Sequence, residues 1–261
     1  MVDFDFKKSL GQNFIKDENI IDKIVKYSGV DKDTLVIEIG PGAGSLSKKI
    51  IPISGYAILY EIDTRLKEIL DRELESYDNY EIIFGDFLEQ KIDNVNNGKY
   101  SKVYVIANLP YYITSPIIHK LLLELYPDRM IIMVQEEVAD RLSAECGNRK
   151  YGMISVLLGA KYKIKKLFRV SKGCFVPSPK VDSAVISLDK NDLFKDGSFD
   201  DFEKFIKEAF QFKRKNLKNN LKKYDILKIE EVLNKYNYSL LNRAEEIPVE
   251  VFIEVFKNMS R

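Results

Sequence analysis

Four consecutive residues, Asn108-Leu109-Pro110-Tyr111, have the chemistry needed to orient an aromatic amine. Such an amine is a poor nucleophile because its lone pair is delocalised into the ring. The side-chain oxygen of Asn108 and the backbone carbonyl of Leu109 can each accept one amine hydrogen, which aims the lone pair and favours a pyramidal nitrogen. Tyr111 can stack on the aromatic ring that carries the amine, as aromatic side chains stack on nucleobases, which contributes about 1–3 kcal/mol. Pro110 stiffens the loop. The alternative is a plain turn between a strand and a helix.

A second candidate is the glycine loop of the segment EIGPGAG, residues 38–44. Its glycines at alternate positions, Gly40, Gly42 and Gly44, allow a backbone to pass close to a ligand. The spacing differs from the G-x-G-x-x-G of dinucleotide-binding loops because residue 45 is serine. The pattern indicates a ligand-binding loop of another kind, or an ordinary tight turn.

Two acidic residues also follow predicted strands. Glu61 is placed to accept hydrogen bonds from ribose hydroxyls, as acidic residues do in dinucleotide-binding folds; the alternative is a solvated charge. Asp86 can accept a hydrogen bond from an adenine amine, or it caps a helix or turn.

The elements that must position these residues are strands that alternate with helices. This alternation predicts an α/β fold with a parallel sheet covered on both faces, and such sheets bind ligands at the carboxyl ends of their strands. The four candidate sites all lie at or just after predicted strand ends. The predicted strands are residues 34–40, 56–63, 81–87, 102–111 and 128–137.

A change of pattern near residue 190 predicts a domain boundary. Residues 1–190 would form the ligand-binding catalytic domain, and residues 191–261 a small all-helical domain. In the second part, Phe202, Phe205 and Phe210 fall on one face of a predicted helix.

The composition of the whole chain excludes little. The 261 residues include 41 basic and 40 acidic ones, so the net charge indicates no partner. Cys146 and Cys174 match no metal-ligand spacing, and no metal site is predicted. The single histidine, His119, lies within a predicted helix and is interpreted as a packing or surface residue.

Without a signal-peptide pattern or an apolar run of roughly 18 residues, the protein is expected in the cytoplasm. The lack of a heptad repeat favours a monomer.

Two stretches of the chain are locally basic. Residues 161–180 hold seven basic residues and no acidic one, and residues 211–223 hold six and none. Clustered Lys and Arg bind nucleic-acid phosphates, so the stretches are expected to form two walls of an RNA cleft; a solvated basic surface is the alternative. The candidate RNA-binding residues are Lys163, Lys165, Lys166, Arg169, Lys213, Arg214 and Lys215.

Taken together, the motifs resemble those of the ribosomal RNA adenine dimethyltransferase family, and the likeness extends over nearly the whole chain. It is closest to the small-subunit (16S) group. The segments that carry it are GQNF (11–14), EIGPGAGSLS (38–47), EID (61–63), GDF (85–87), NLPYYITSPI (108–117), FVPSPKVDSAVI (175–186) and NRAEEIPVEVF (242–252).

The resemblance implies a Rossmann-like sheet that binds S-adenosylmethionine. It implies that Asn13 and Ile15 lie over this methyl donor, that Gly40, with Gly42 in the same loop, touches its methionine end, and that Glu61 and Asp86 bind its ribose and adenine. Asn108 would bridge donor and target base, and Tyr111 and Phe175 would sandwich a flipped adenine. Phe175 can equally be a core aromatic residue. Two positions depart conservatively from the usual pattern, Ile15 where Leu is commoner and Ser47 where Thr is commoner.

The implied activity is dimethylation of the N6 amine of adenines in 16S rRNA, at two adjacent adenines of a 3′-terminal hairpin loop, within the small ribosomal subunit and with a role in its assembly. Three alternatives stay open. They are a 23S rRNA methylase of the macrolide-resistance type, a DNA adenine methylase, and a non-enzymatic RNA-binding assembly factor. The DNA enzymes commonly carry a second proline where this chain has Leu109.

Overall fold

Strands and helices alternate through the first half of the chain, as predicted. The structure is a computed structural model that describes residues 12–92, 95–191, 193–195 and 198–259. It divides into two units. The first holds the described residues up to Ala139 together with Lys166–Asp189, and the second holds Asp140–Lys165 and the described residues from Lys190 onward.

The strands differ in length, from two residues to nine. They are β1 (Phe14–Ile15), β2 (Thr34–Ile39), β3 (Tyr56–Glu61), β4 (Tyr80–Phe84), β5 (Lys102–Asn108), β6 (Arg129–Gln135), β7 (Tyr162–Val170), β8 (Phe175–Val176) and β9 (Ser183–Lys190).

The α-helices are mostly short, and two of those described adjoin 3₁₀ or π turns. They are α1 (Glu18–Ser28), α2 (Ser47–Ile50), α3 (Lys67–Leu74), α4 (Thr114–Lys120), α5 (Glu136–Leu142), α6 (Met153–Gly159), α7 (Phe199–Ala209), α8 (Leu217–Asn220), α9 (Ile226–Lys235) and α10 (Val249–Met259).

Among the described residues, seven strands form one sheet in the order β4-β3-β2-β5-β6-β9-β7. The neighbours from β4 to β6 pair in parallel, which confirms the predicted α/β sheet. Strand β9 pairs antiparallel with β6, so the sheet is mixed. Strands β7 and β9 are absent from the sequence-based prediction because their segment follows the last clear strand–helix alternation.

The central strands are largely apolar and buried because the sheet is covered on both faces. Every residue of β2 is buried, including Thr34 and Glu38. On one side α1 packs Ile20, Ile21 and Ile24 into the core. This helix begins where the Asp17 side chain accepts a hydrogen bond from the Asn19 amide at 3.0 Å.

The second unit has an aromatic core built from its own helices. Phe202 and Phe205 of α7 are buried beside Phe256 of α10, with ring centroids 5.4 Å and 5.9 Å from that ring. Helix α6 also belongs to this unit, so the unit begins earlier in the chain than residue 191. Packing of α6 with α7 and α10 is the reason, and no local pattern in the sequence reveals it.

Of the helices within the described residues, none combines the length and the apolar character that crossing a membrane requires. The same part of the chain contains no group of three or more His, Cys, Asp and Glu side chains arranged to hold a metal ion. Cys146 and Cys174 are both free thiols.

Candidate functional site

A pocket lies at the carboxyl ends of strands β2, β3 and β5, where the sequence predicted a ligand site. Four stretches of the first unit line it: residues 12–14, the glycine loop at Gly40 and Gly42, Glu61 with Ile62, and residues 108–111. Most of the residues chosen from the sequence therefore come together although they are far apart in the chain.

Asn108, the last residue of β5, has its side chain oriented by the backbone. Its amide nitrogen Nδ2 donates a hydrogen bond of 2.9 Å to the carbonyl oxygen of Asn13. A carbonyl accepts only from a donor, so this bond determines which end of the carboxamide is nitrogen. The oxygen Oδ1 is thereby assigned as the end of Asn108 that can accept a hydrogen bond from a bound amine.

The two residues after Asn108 are held in place by backbone hydrogen bonds. The Leu109 amide donates to the carbonyl of Met133 at 3.1 Å, which continues the ladder of the sheet into the loop. The carbonyl of Pro110 accepts from the hydroxyl of Thr114 at 3.0 Å. The loop is thus fixed to both the neighbouring strand and the helix that follows.

Tyr111 lines the pocket with a half-buried ring. Its hydroxyl lies 2.5 Å from the hydroxyl of Ser183, the first residue of β9. Burial raises the pKa of Tyr111, so its phenol is protonated at neutral pH. The ring is therefore held at its far end, and its position is set by a strand that follows it by 72 residues.

The glycine loop turns with left-handed backbone at Gly40 and Gly42, whose φ angles are 73° and 60°. A Cβ atom at Gly42 would lie 2.4 Å from the Cε1 atom of Phe14, so the ring occupies the space that a side chain needs. At Gly40 the nearest atom to such a Cβ would be the backbone oxygen of Asn108, at 4.0 Å. Gly40 therefore leaves room beside it in the pocket.

Glu61 is a buried carboxylate, 4% exposed, at the end of β3. Its Oε2 accepts from the Gly42 amide at 3.0 Å and its Oε1 from the Asp63 amide at 2.9 Å. Burial raises the pKa of Glu61, while the two backbone N–H groups act in the opposite direction. The side chain is held rigidly, facing the pocket, in the position predicted for a ribose-binding acid.

Asp63, two residues further on, connects Glu61 to the segment that crosses the pocket. Its Oδ2 accepts a 2.8 Å hydrogen bond from the side-chain amide of Gln12 and a 2.6 Å ion-pair contact from Arg65. The Arg65 guanidinium holds the pKa of this carboxyl at about 2. Asp63 is only 3% exposed, and Gln12 is half-buried, so the hydrogen bond between them is partly shielded from water.

A further buried acid, Glu38, lies beneath the glycine loop. It is 2% exposed, and its Oε2 accepts from the hydroxyl of Ser47 at 2.7 Å. Burial raises the pKa of Glu38 to about 8, and the nearby Glu61 contributes in the same direction. Glu38 therefore supports the loop through Ser47.

Asp86 occupies a turn outside the residues that line the pocket. Its Oδ1 accepts from the Leu88 amide at 2.9 Å and caps the 3₁₀ helix Phe87–Glu89. This is the capping role that the sequence left open as the alternative. Binding of an adenine amine by Asp86 stays a prediction.

Ile15 and Phe175 are not among the residues that line the pocket. They are opposite each other in the antiparallel pair of β1 and β8. Phe175 is 1% exposed within an apolar cluster, and the half-buried Ile15 packs against the same cluster. Phe175 thus has the core position named as its alternative, and contact of Ile15 or Phe175 with a ligand stays a prediction.

The basic residues fall into two groups. Lys166 and Arg169 make ion pairs with Glu136 at 3.0 Å, and Arg169 also pairs with Asp182 at 2.5 Å. These acids partly neutralise them. All seven candidate residues are exposed; the five outside this ion-pair group are Lys163 and Lys165 on β7 and Lys213, Arg214 and Lys215 between α7 and α8.

Sequence reasoning missed Gln12, Asp63 and Ser183. Gln12 donates to Asp63 and directly precedes Asn13, whose carbonyl accepts from Asn108, and the hydroxyl of Ser183 contacts that of Tyr111. Gln12 and Asp63 lie inside the segments GQNF and EID, and Ser183 lies inside FVPSPKVDSAVI. The resemblance therefore covered these residues, but the sequence did not indicate which residues they contact.

Comparison with known proteins finds relatives that are named for the methylation of ribosomal RNA. The chain matches the family described as "Ribosomal RNA adenine dimethylase" over residues 3–260. It is 40% identical over 255 residues to the ribosomal RNA small subunit methyltransferase A of Thermotoga maritima, covering 98% of this chain and 86% of that one. The protein of the same name from Listeria welshimeri is 39% identical over 265 residues, with coverage of 97% and 90%.

Solved structures agree on the architecture. A dimethyladenosine transferase from Plasmodium falciparum superposes with a TM-score of 0.82 at 25% identity, covering 95% of this chain and 97% of that chain. The 23S rRNA methyltransferase ErmE superposes with a TM-score of 0.77 at 23% identity, covering 95% and 100%, and this likeness concerns the fold. With its family match spanning both units and its Asn-Leu-Pro-Tyr loop at the sheet edge, the chain belongs to the ribosomal RNA adenine dimethylase family.

Proposed function

We propose that this protein transfers methyl groups from S-adenosylmethionine to the N6 amine of adenines in the RNA of the small ribosomal subunit. The observation that carries the proposal is the orientation of Asn108. Its Nδ2 is bound to the Asn13 carbonyl, which leaves Oδ1 as the end that meets a bound amine. The relatives named above, called ribosomal RNA small subunit methyltransferase A, support the choice of RNA.

The pocket residues fit S-adenosylmethionine, which supplies an electrophilic methyl group when bound. Glu61 presents a carboxylate to ribose hydroxyls, and its two backbone hydrogen bonds keep it in position. Gly40, with Gly42 behind it, leaves room for the methionine end. Asn13 contributes backbone over the pocket. Asp86 is proposed to bind the adenine, with one of its oxygens committed to its cap.

Asn108 and Leu109 orient the target amine. Oδ1 of Asn108 and the carbonyl of Leu109 each accept one hydrogen, so the nitrogen lone pair is turned out of the ring plane and toward the donor side of the pocket. Because the lone pair becomes available through geometry, no strong general base is required. Tyr111 provides the stacking surface, while Pro110 keeps the turn rigid.

The RNA is held by exposed basic side chains. Lys163 and Lys165 on β7, and the group Lys213, Arg214 and Lys215 after α7, supply phosphate contacts. A target adenine must leave its stack to reach the sheet edge, which costs less in a hairpin loop than in a duplex.

The test is a methylation assay with four acceptors: undermethylated small subunits, large subunits, naked 16S RNA and duplex DNA. Labelled S-adenosylmethionine is supplied, and the modified nucleoside is identified after digestion. Dimethyladenosine in small-subunit RNA is the expected product. The same product in 23S RNA alone would indicate a 23S rRNA methylase of the macrolide-resistance type. Label in DNA alone would indicate a DNA adenine methylase. Absence of both transfer and donor binding would favour an RNA-binding assembly factor.

A further inference from the structure

We propose that Gln12 and Asp63 form a positioning pair that holds residues 12–15 across the pocket and thereby sets the orientation of Asn108. We call residues 12–15 the strap. The kinetic part of this inference rests on the proposed function, whereas its structural part can be measured without activity.

The fixed end of the pair is Asp63. Three groups determine the position of its carboxylate: the Arg65 guanidinium, at 2.6 Å from Oδ2, the Arg65 backbone amide, at 3.2 Å from Oδ1, and Gln12, at 2.8 Å from Oδ2. The carboxylate is 3% exposed. A hydrogen bond between a buried carboxylate and an amide is stronger than its solvated counterpart. Gln12 is therefore held firmly although it lies 51 residues away in sequence.

Asp63 is also joined to the residue proposed to bind the donor ribose. Its backbone amide donates to Oε1 of Glu61 at 2.9 Å, and Oε2 of Glu61 accepts from Gly42 at 3.0 Å. The position of Asp63 and the position of Glu61 thus depend on each other.

The strap reaches the catalytic loop one residue after Gln12. The carbonyl of Asn13 accepts the 2.9 Å hydrogen bond from Nδ2 of Asn108. The ring of Phe14 then covers Gly42, and Ile15 pairs with Phe175 of β8. A displaced strap would remove the acceptor that distinguishes the two ends of the Asn108 carboxamide.

The consequence is chemical as well as structural. If the Asn13 carbonyl moves away, the carboxamide can rotate by half a turn and present Nδ2, a donor, to an amine that needs an acceptor. The chain is expected to bind its substrates and to turn them over more slowly. The pair acts through Asn13 and Asn108 and needs no contact of its own with the reacting atoms.

The test is a swap of the two side chains. In Asp63→Asn the amide NH₂ takes the place of Oδ2, while asparagine still caps the 3₁₀ helix that follows. The new NH₂ faces the Arg65 guanidinium as a second donor, and Gln12 can bond to it only by turning its own carboxamide over. In Gln12→Glu two carboxylates face each other. In the double variant the new amide donates to the new carboxylate, so the bond is restored with its direction reversed. Lys67→Gln, which removes an exposed ion pair with Asp71, is the matched control.

Two readouts are taken for the wild type, both single variants, the double variant and the control. We expect kcat to fall about tenfold or more in Gln12→Glu, where two carboxylates repel each other, and to fall less in Asp63→Asn. In the double variant kcat should recover to within about threefold of the wild type, with little change in KM for RNA. Hydrogen exchange of the peptide that covers the strap should accelerate in the single variants and slow again in the double variant.

A double variant as slow as the worse single variant, with unrecovered exchange, would overturn the proposal. So would a kcat unchanged in both single variants, or a loss that appears only as weaker donor binding. If the wild type fails to methylate any acceptor, the proposed function fails. The exchange pattern then still decides whether Gln12 and Asp63 hold the strap.

Discussion

The side chain of Asn108 is oriented by the backbone carbonyl of Asn13, 95 residues earlier in the chain and 2.9 Å away in the structure. The proposed chemistry needs Oδ1 of Asn108 as a hydrogen-bond acceptor. The hydrogen bond that Nδ2 donates to the Asn13 carbonyl fixes the side chain so that Oδ1 is available. This relationship makes the N-terminal segment part of the catalytic geometry.

Replacement of Asn108 should remove transfer without removing the fold. Asn108→Ala loses the acceptor, and Asn108→Asp places a carboxylate oxygen against the Asn13 carbonyl. We expect kcat to fall about 100-fold or more in both, with the affinity for S-adenosylhomocysteine kept within a few-fold. Single-turnover kinetics and calorimetry measure the two quantities. Full activity of Asn108→Ala would refute the catalytic assignment.

The hydroxyl of Tyr111 should matter less than its ring. Tyr111→Phe and Ser183→Ala each break the 2.5 Å contact but leave the stacking surface, so activity should fall less than about tenfold in each. The variant that combines both changes should have about the same activity as the less active single variant, because both changes remove the same contact. Tyr111→Ala removes the stacking surface and should cost about 1–3 kcal/mol in kcat/KM for RNA. Equal losses in Tyr111→Phe and Tyr111→Ala would contradict a stacking role.

Gly42→Ala should destabilise the protein beyond the effect of backbone strain. Gly42 and Gly98 both have positive φ angles, 60° and 74°. A Cβ at Gly98 meets no atom within 4 Å, whereas one at Gly42 meets Phe14 at 2.4 Å. Gly98→Ala should cost about 1–2 kcal/mol, and Gly42→Ala about 2–4 kcal/mol because a clash is added. Urea denaturation compares the two, and equal losses would show that Phe14 moves away freely.

Glu38 should make stability depend on pH. Its pKa of about 8 in the folded chain lies above the ordinary value of 4.5, so between these values the folded chain holds a proton that the unfolded chain has lost. The contribution of Glu38 to the free energy of unfolding is therefore largest below pH 4.5 and decreases as the pH rises toward about 8.

Glu38→Gln stays neutral and should lack this decrease. The difference between its free energy of unfolding and that of the wild type should increase from about pH 5 to about pH 8, so the variant becomes the relatively more stable of the two. The control is Glu73→Gln, since the hydrogen bond from Lys48 lowers the pKa of Glu73 and places its transition at more acidic pH. Denaturation series at several pH values test this, and parallel curves for Glu38→Gln and wild type would count against a raised pKa.

Charge removal should separate the two groups of basic residues. Lys163→Ala with Lys165→Ala should weaken RNA binding and reduce the slope of log K against log salt concentration by about 0.7–0.9 for each phosphate that is no longer neutralised. Lys166→Ala should change the slope less, because Glu136 already pairs with Lys166 at 3.0 Å. Filter binding at several salt concentrations gives the slopes. A larger change for Lys166→Ala would mean that its ion pair opens on RNA.

The sequence by itself determined the parallel part of the sheet and the residues at its edge. Alternating apolar strands and amphipathic helices are local patterns, and parallel strands bring their carboxyl ends together. Gly40, Glu61 and Asn108 could therefore be assigned to one pocket from the order of the strands alone. The residue types in the Asn-Leu-Pro-Tyr loop indicated the chemistry because hydrogen-bond donors and acceptors are properties of the side chains themselves.

Only the tertiary structure decided which partner each of these residues has. Hydrogen bonds from Gln12 to Asp63 and from Asn108 to Asn13 join segments 51 and 95 residues apart, and nothing in the local sequence encodes such a pairing. The same holds for Phe175, where an aromatic side chain suits both a stacking site and a core. Its cross-strand contact with Ile15 placed it in the core, because burying both apolar side chains against one cluster removes them from water.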